Sequence, residues 1–361
     1  AKHLVTRGHE AVVVSNGGRM VQELESLGAR HIALAVHRKH PVSLFKIPEL
    51  RRVFLREQPD IIHLRSRLPA WLAWLAWRKL PPKSRPRLVS TVHGFYSVNA
   101  YSKIMTRRER VICVSESIKT YVQQHYPDTP EANLRVIPRG IDPDAFPYGY
   151  QPSESWLETW HQEHPHLKDA TVITLPGRVT RLKGALDFVQ VIAELCRQGI
   201  PAHGLLVGGT HPRKQAFMNE VKEAITTHEL SPHIEWLGNR NDLRDILAVS
   251  DAVVSCSNTP ESFGRTTLEA LSMGKPVAAY AHGGITEQLD TLLPEGKVEP
   301  GHIQQMADTL AHWHTSPPQP RREHPFTLQN MLQQTEVVYR ELTRTSHLCE
   351  VLLAPYFVGN E

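Results

Sequence analysis

Short apolar runs alternate with helical patterns along almost the whole chain, and that alternation leaves few folds open. Strands are expected at Ala11 to Val14, His31 to Val36, Asp60 to Leu64, Leu88 to Val92, Val111 to Val114 and Leu134 to Ile137, with helices between most of them. Such a series argues for a parallel sheet with helices on both faces. The series restarts at Thr171 to Leu175, after a stretch rich in Trp, His, Glu and Pro from about Tyr148 to Asp169. With 361 residues the chain is too long for one ordinary core and fits two α/β domains, 1–150 and 170–322, joined by a linker at 151–169. The opening AKHLVTRGHEAVVV reads as the end of a helix, a turn at Gly8 and a strand. A doubly wound domain begins with a strand and a Gly-rich turn ahead of its first helix. Neither is recognisable ahead of this helix, so an N-terminal strand is expected to be missing.

Composition narrows the class further. Cys113, Cys196, Cys256 and Cys349 are scattered, without a CxxC pair or a His at metal spacing, so neither a disulfide framework nor a zinc site is expected. The most apolar run, Leu68 to Trp77, is too short to span a bilayer. Net charge is only +4, but its placement is uneven: no acidic residue falls between Asp60 and Glu109, where ten Arg and Lys do. Part of the first domain therefore carries a positive field suited to an anionic membrane or acceptor. No nucleic-acid-binding motif accompanies it. Trp71, Trp74 and Trp77 share one side of a helix that Pro69 can open; the plain reading is a core stripe, the alternative a membrane-interface face flanked by Arg65, Arg67, Arg78 and Lys79.

One stretch concentrates the polar chemistry: Pro260 to Gly274, PESFGRTTLEALSMG. Ser262 is the expected N-cap, Gly274 the stop, and Pro276 blocks continuation, so a helix should start near Phe263. Its first free N–H groups, on Gly264, Arg265 and Thr266, would stand at the positive end of the helix dipole, where an anion can be held. Glu261 and Glu269, eight residues apart, would accept hydrogen bonds from hydroxyls. Amides for phosphate beside carboxylates for sugar point to a nucleotide sugar.

A second loop supplies cations. After the strand at Thr171 come Gly177-Arg178 and, five residues past the arginine, Lys183-Gly184. Arg178 offers a fork that matches phosphate oxygens and Lys183 a movable point charge, and together they can neutralise a pyrophosphate. Gly208-Gly209 follows the run HGLLV as a turn where backbone can approach a ligand. His93-Gly94 follows Val92 directly, which puts the imidazole at the carboxyl edge where open sheets bind ligands. Ser115 stands at another strand end, at least as a helix N-cap.

These segments together resemble the retaining glycosyltransferases of the GT-B fold, family 4. The resemblance covers nearly all of residues 1–343 and is densest from Thr171 to Glu287. It implies two Rossmann-like doubly wound domains facing a cleft, with a helix at 323–345 crossing back to the first domain and an uninformative tail from Ser346. It implies transfer of a hexose from a UDP- or GDP-sugar without a metal, the anomeric configuration being retained. Arg178 and Lys183 would hold the pyrophosphate and Glu269 the ribose. Glu261, Phe263, Gly264, Arg265 and Thr266 would hold the sugar and its phosphate, and Gly177 and Gly208 would lie close to them. Residues after Gly238, Arg240 among them, would lie near the base. His93, Glu261, Arg178 and Lys183 form the implied catalytic set, His93 positioning the sugar. Arg65, Arg67, Ser115 and Arg139 are the implied acceptor contacts.

No cofactor is expected. Asp142 and Asp144 spell the metal-binding DxD of a different glycosyltransferase fold, but here they sit in a turn-rich segment, VIPRGIDPDAF, that resembles this family's interdomain stretch. With no carboxylate placed as a covalent nucleophile, front-face attack is the favoured route, the leaving phosphate taking the acceptor proton. RSRLPAW, IPRGID and TPESFGRTTLEA resemble the lipopolysaccharide-core branch most closely. A cytoplasmic enzyme touching the inner face of the membrane, with a glycan or glycolipid acceptor and no nucleic-acid partner, is the implied setting. The alternatives are an epimerase or phosphorylase on the same fold, and a non-catalytic sugar-binding remnant.

Overall fold

The computed structural model describes residues 1–37, 40–210, 215–343 and 348–354. In chain order the strands are β1 (Glu10–Ser15), β2 (Arg30–Ala33), β3 (Ile61–Leu64), β4 (Arg87–Val92), β5 (Arg110–Cys113), β6 (Leu134–Val136), β7 (Thr171–Pro176), β8 (Ala202–Val207), β9 (Ile234–Gly238), β10 (Ala252–Ser255), β11 (Val277–Tyr280), β12 (Lys297–Val298) and β13 (Cys349–Leu353). Two units divide the chain. Unit 1 takes Ala1–Pro138 with Gln329–Glu361, and unit 2 takes Arg139–Leu328. The linker segment and the residues just before it are therefore built into unit 2.

Unit 2 holds a six-stranded sheet of order β12-β11-β10-β7-β8-β9, parallel throughout. That is the doubly wound order, with β7 as first strand and the chain stepping outward from the centre in both directions. Unit 1 has a seven-stranded parallel sheet, β2-β1-β13-β3-β4-β5-β6. Its order is doubly wound only if β13 counts as the first strand.

That corrects two expectations at once. The central strand thought to be missing has its place filled from the other end of the sequence, and the tail from Ser346 is informative in its described part, 348–354. CEVLL pairs on both sides, Val351 with Val12 and with Ile62, and Val351 and Leu353 are wholly buried. Residues 346–347 and 355–361 of that tail lie outside the described residues. The helix Leu328–Leu342 precedes it and contributes Val338 and Tyr339 to a unit 1 core with Val13, Ile61, Val89 and Ile112.

Glu350 is the polar exception in β13, and it is fully partnered. Tyr339 donates to its Oε1 at 2.5 Å; His63 Nδ1 lies 2.6 Å from the same hydroxyl, and His63 Nε2 2.7 Å from Thr91 Oγ1. Buried polar groups are tolerated when each finds such a partner. Burial holds His63 below its ordinary pKa, against the pull of Glu350.

The tryptophan helix runs Arg67–Trp77, so it begins two residues before Pro69, which sits in the first turn where its missing N–H costs nothing. Its indoles are half-buried and tied down: Trp71 donates to Tyr101 O at 2.9 Å and Trp77 to Pro86 O at 2.8 Å. Arg78 lies over Trp74 and Arg85 over Trp77. Among the described residues, no helix is long and apolar enough to cross a membrane.

Candidate functional site

In unit 2 the strand order reverses between β7 and β10, and the crevice at the carboxyl ends of such a pair is where open α/β sheets bind ligands. The loops leaving these strands are pressed together by glycines. Gly177 N–H donates to Val207 O at 2.8 Å, and a Cβ on Gly208 would stand 2.0 Å from Gly177 O, so the loops after β7 and β8 can touch only because the latter opens with glycine. Thr180 caps the short turn Arg181–Lys183, accepting Lys183 N–H at 3.3 Å. Gly184 follows at φ +69°, with room for a Cβ denied by Cys256 O at 1.8 Å. This fit lays Lys183 against the exit of β10.

There Lys183 Nζ meets Glu261 Oε1 at 2.6 Å, and Ser257 Oγ donates to the same oxygen. The backbone of Glu261 is held as well. It bridges Gly283 in parallel, and its carbonyl accepts Gly284 N–H at 2.7 Å. Beyond it the helix runs Arg265–Ser272, with Gly264 as N-cap at φ +86°. Ser262 is thus not the cap: the left-handed turn at Gly264 swings the chain into the helix two residues later. A Cβ there would also strike Ile285 Cγ1 at 2.4 Å.

Phe263 is a further correction, since its ring is buried edge-on to Phe326 and a ligand could meet only its backbone. Its carbonyl and that of Gly264 accept from Gln288 Nε2 at 2.5 and 3.0 Å. Thr266 lies half-buried in the first turn.

Glu269 is buried one turn in, beneath Arg265, whose Nε stands 2.8 Å from its Oε1. Burial raises its carboxyl above the usual range, while Arg265 pulls the other way. Arg178 is exposed and has no ion-pair partner among the described residues. Arg240 is otherwise engaged: it forks onto Asp242 at 2.8 and 2.6 Å, and Asp242 also accepts from Trp156 Nε1 at 2.9 Å. The structure thus gathers Gly177, Lys183, Gly208, Glu261 and Gly264 at one sheet edge and ties Arg240 to its own neighbour. Ser257 escaped sequence reasoning; its signal is a hydroxyl at a strand exit four residues ahead of the glutamate.

In unit 1 the exits of the paired strands β3 and β4 bring Arg65 to His93. Arg65 Nε donates to His93 Nε2 at 3.2 Å, which makes that nitrogen an acceptor and places the ring proton on Nδ1. Arg67 donates to Ser102 Oγ at 3.1 Å and covers the Tyr96 ring at 4.9 Å. Ser115 is buried and its hydroxyl accepts Ile118 N–H at 3.1 Å, the N-cap role. Arg139 falls in unit 2. Asp142 Oδ1 accepts Asp144 N–H at 3.1 Å, a turn of the kind Asp makes with its own backbone.

Comparison with known proteins agrees with this geometry. Residues 1–145 match Glycosyltransferase Family 4, and residues 157–325 match Glycosyl transferases group 1. A human phosphatidylinositol N-acetylglucosaminyltransferase polypeptide is 28 % identical over 315 residues, which are 82 % of this chain and 59 % of that protein. The chain thus spans less than two thirds of that relative's length. A crystal structure of a glycosyltransferase from Rickettsia africae ESF-5 superposes with TM-score 0.80 at 27 % identity, covering 96 % of this chain and 93 % of that one. Anabaena Alr3699/HepE in complex with UDP and glucose has TM-score 0.70 at 17 % identity, covering 94 % and 96 %.

Proposed function

With its first half in glycosyltransferase family 4 and its second among the group 1 glycosyl transferases, the chain carries both domains of a GT-B glycosyltransferase; from that premise we propose that it moves a hexose from a UDP- or GDP-sugar to an acceptor, with retention and without a metal. The observation that carries this reading is the Lys183–Glu261–Ser257 cluster at the switch point of unit 2, beside the free N–H groups of the helix at Arg265. Arg178 and Lys183 take the diphosphate and stabilise charge growing on the leaving group. Once Lys183 turns to phosphate, the Glu261 carboxylate accepts from a sugar hydroxyl. Glu269 accepts from the ribose as Arg265 swings aside. The leaving phosphate itself takes the acceptor proton. Titration calorimetry against UDP, GDP, ADP and their sugars tests the reading, and binding by none of them rejects it.

For the acceptor we propose an anionic, membrane-borne glycan of the lipopolysaccharide-core kind. Arg65, Arg67 and His93, at the carboxyl edge of unit 1, are its proposed contacts. A groove of about 630 Å³ at the amino edge of unit 1 supports peripheral contact with an anionic surface. Trp74, Trp77, Lys83, Arg85 and Arg107 line it, along with Arg108. Arg108 is buried, and its Nε and Nη2 have no partner among the described residues. Burial, then Arg107, lower its pKa to about 10. A buried cation with unspent donors is unfavourable until an anion joins it.

A further inference from the structure

A group of histidines lies at the other edge of unit 2, away from the proposed donor site. His164 and His166 flank Pro165 in the turn after the helix Glu154–Glu163, and Glu235 is the second residue of β9. His164 Nδ1 stands 3.0 Å from Glu235 Oε2, and His166 Nε2 stands 3.6 Å from the same oxygen. One ligand atom from each of the three lies within 4.8 Å of the others. Four ligands held tetrahedrally about 2.0 to 2.2 Å from Zn²⁺ are themselves about 3.3 to 3.6 Å apart, so these spacings need only small adjustment.

An ordinary hydrogen bond accounts for His164 and Glu235 alone. It does not account for His203, second residue of β8 and on the same face as Leu205, the register partner of Glu235. His203 is only 6 % exposed, its ring centroid is 4.7 Å from that of His166, and its Nε2 has no partner among the described residues. Leaving a buried nitrogen unpaired is unfavourable. Burial, and then the neighbours His166, His233 and His164, push its pKa down to about 4, so at neutral pH the ring is an uncharged acceptor.

We propose that His164, His166 and Glu235 form a site for a borderline divalent cation, Zn²⁺ above all, with His203 Nε2 accepting from the water in the fourth position. Two imidazoles and a carboxylate with one open position are a zinc donor set; Mg²⁺ and Ca²⁺ prefer all-oxygen surroundings. The ion would pin the 164–166 turn to the β8–β9 edge. His203 and Gly208 are five residues apart on one strand, about 16 Å, so the ion takes no part in donor chemistry.

The test uses untagged full chain, stripped with EDTA and titrated with Zn²⁺ by calorimetry, with metal content read by mass spectrometry and stability by thermal unfolding. One Zn²⁺ per chain and a rise in Tm are expected. His166→Ala, at a half-exposed position, and the isosteric Glu235→Gln should each weaken Zn²⁺ at least tenfold, the scale of disturbing a metal's immediate surroundings. His203→Ala should weaken it by a similar factor, and the exposed His228→Ala should not. UDP or GDP affinity should be the same in all four variants. Zn²⁺ affinity equal in wild type, His166→Ala and Glu235→Gln would overturn the proposal, as would no Zn²⁺ binding by the stripped protein.

Discussion

Lys183 and Glu261, 78 residues apart in sequence, share an ion pair of 2.6 Å at the point where β7 and β10 release their loops. The pair is only partly shielded, with 34 % and 19 % of the two side chains exposed. Partly exposed pairs of this kind are worth about 1 kcal/mol or less. A diphosphate can therefore draw the ammonium away at little cost, and the carboxylate it leaves is free for a hydroxyl.

Removing either cation should weaken nucleotide binding. Arg178→Ala and Lys183→Ala are each expected to cost about 1.5 to 3 kcal/mol in UDP or GDP affinity, the scale of hydrogen bonds to charged groups, or about 10- to 150-fold in Kd. Calorimetry measures it. Equal affinity in wild type and both variants would remove the pair from the donor site.

Glu269 separates the ribose from the phosphates. Glu269→Gln should impair UDP or GDP more than free pyrophosphate; an equal loss would refute the ribose role.

Its titration gives a sign as well. With the folded pKa raised by burial, the native state holds this proton at pH values where the unfolded chain has lost it. Stability contributed at this site is therefore greatest below the ordinary carboxylate range and falls as pH rises through the folded pKa. Urea unfolding as a function of pH should show the wild type losing stability relative to Glu269→Gln over that rise.

The central strand of unit 1 offers a stability test. Val351→Asp places a charge in a wholly buried position between β1 and β3, and a loss above about 4 kcal/mol is expected. In calorimetric unfolding the transition of unit 1 should fall while nucleotide binding, assigned to unit 2, persists.

Anionic vesicles should bind the chain, and added salt should weaken that binding. Arg108→Met should reduce it while raising Tm, because a buried unpaired charge is removed. Binding that is indifferent to both salt and this variant would rule out the groove.

Much of this is legible in the order of residues alone. The strands of both sheets, the glycines at 177, 184, 208 and 283, and Ser115 as a cap follow from local rules, because parallel strands and tight turns impose their chemistry on neighbouring residues. What stays hidden is what pairs across long stretches of chain. β13 carries a short apolar run that any tail could hold, and only its pairing with β1 and β3 gives it a place. Ser262 has the look of a cap because Ser commonly is one, but the left-handed turn at Gly264 takes that position instead. The convergence of His164 and His166 on Glu235 is invisible to metal-spacing rules because 71 residues separate His164 from the carboxylate.

A crystal structure with UDP or GDP bears most directly on the central claim. The account predicts the diphosphate against Arg178, Lys183 and the N–H groups of Arg265 and Thr266, with no metal ion between the phosphates. A nucleotide seated elsewhere, or a divalent ion bridging its phosphates, would contradict it.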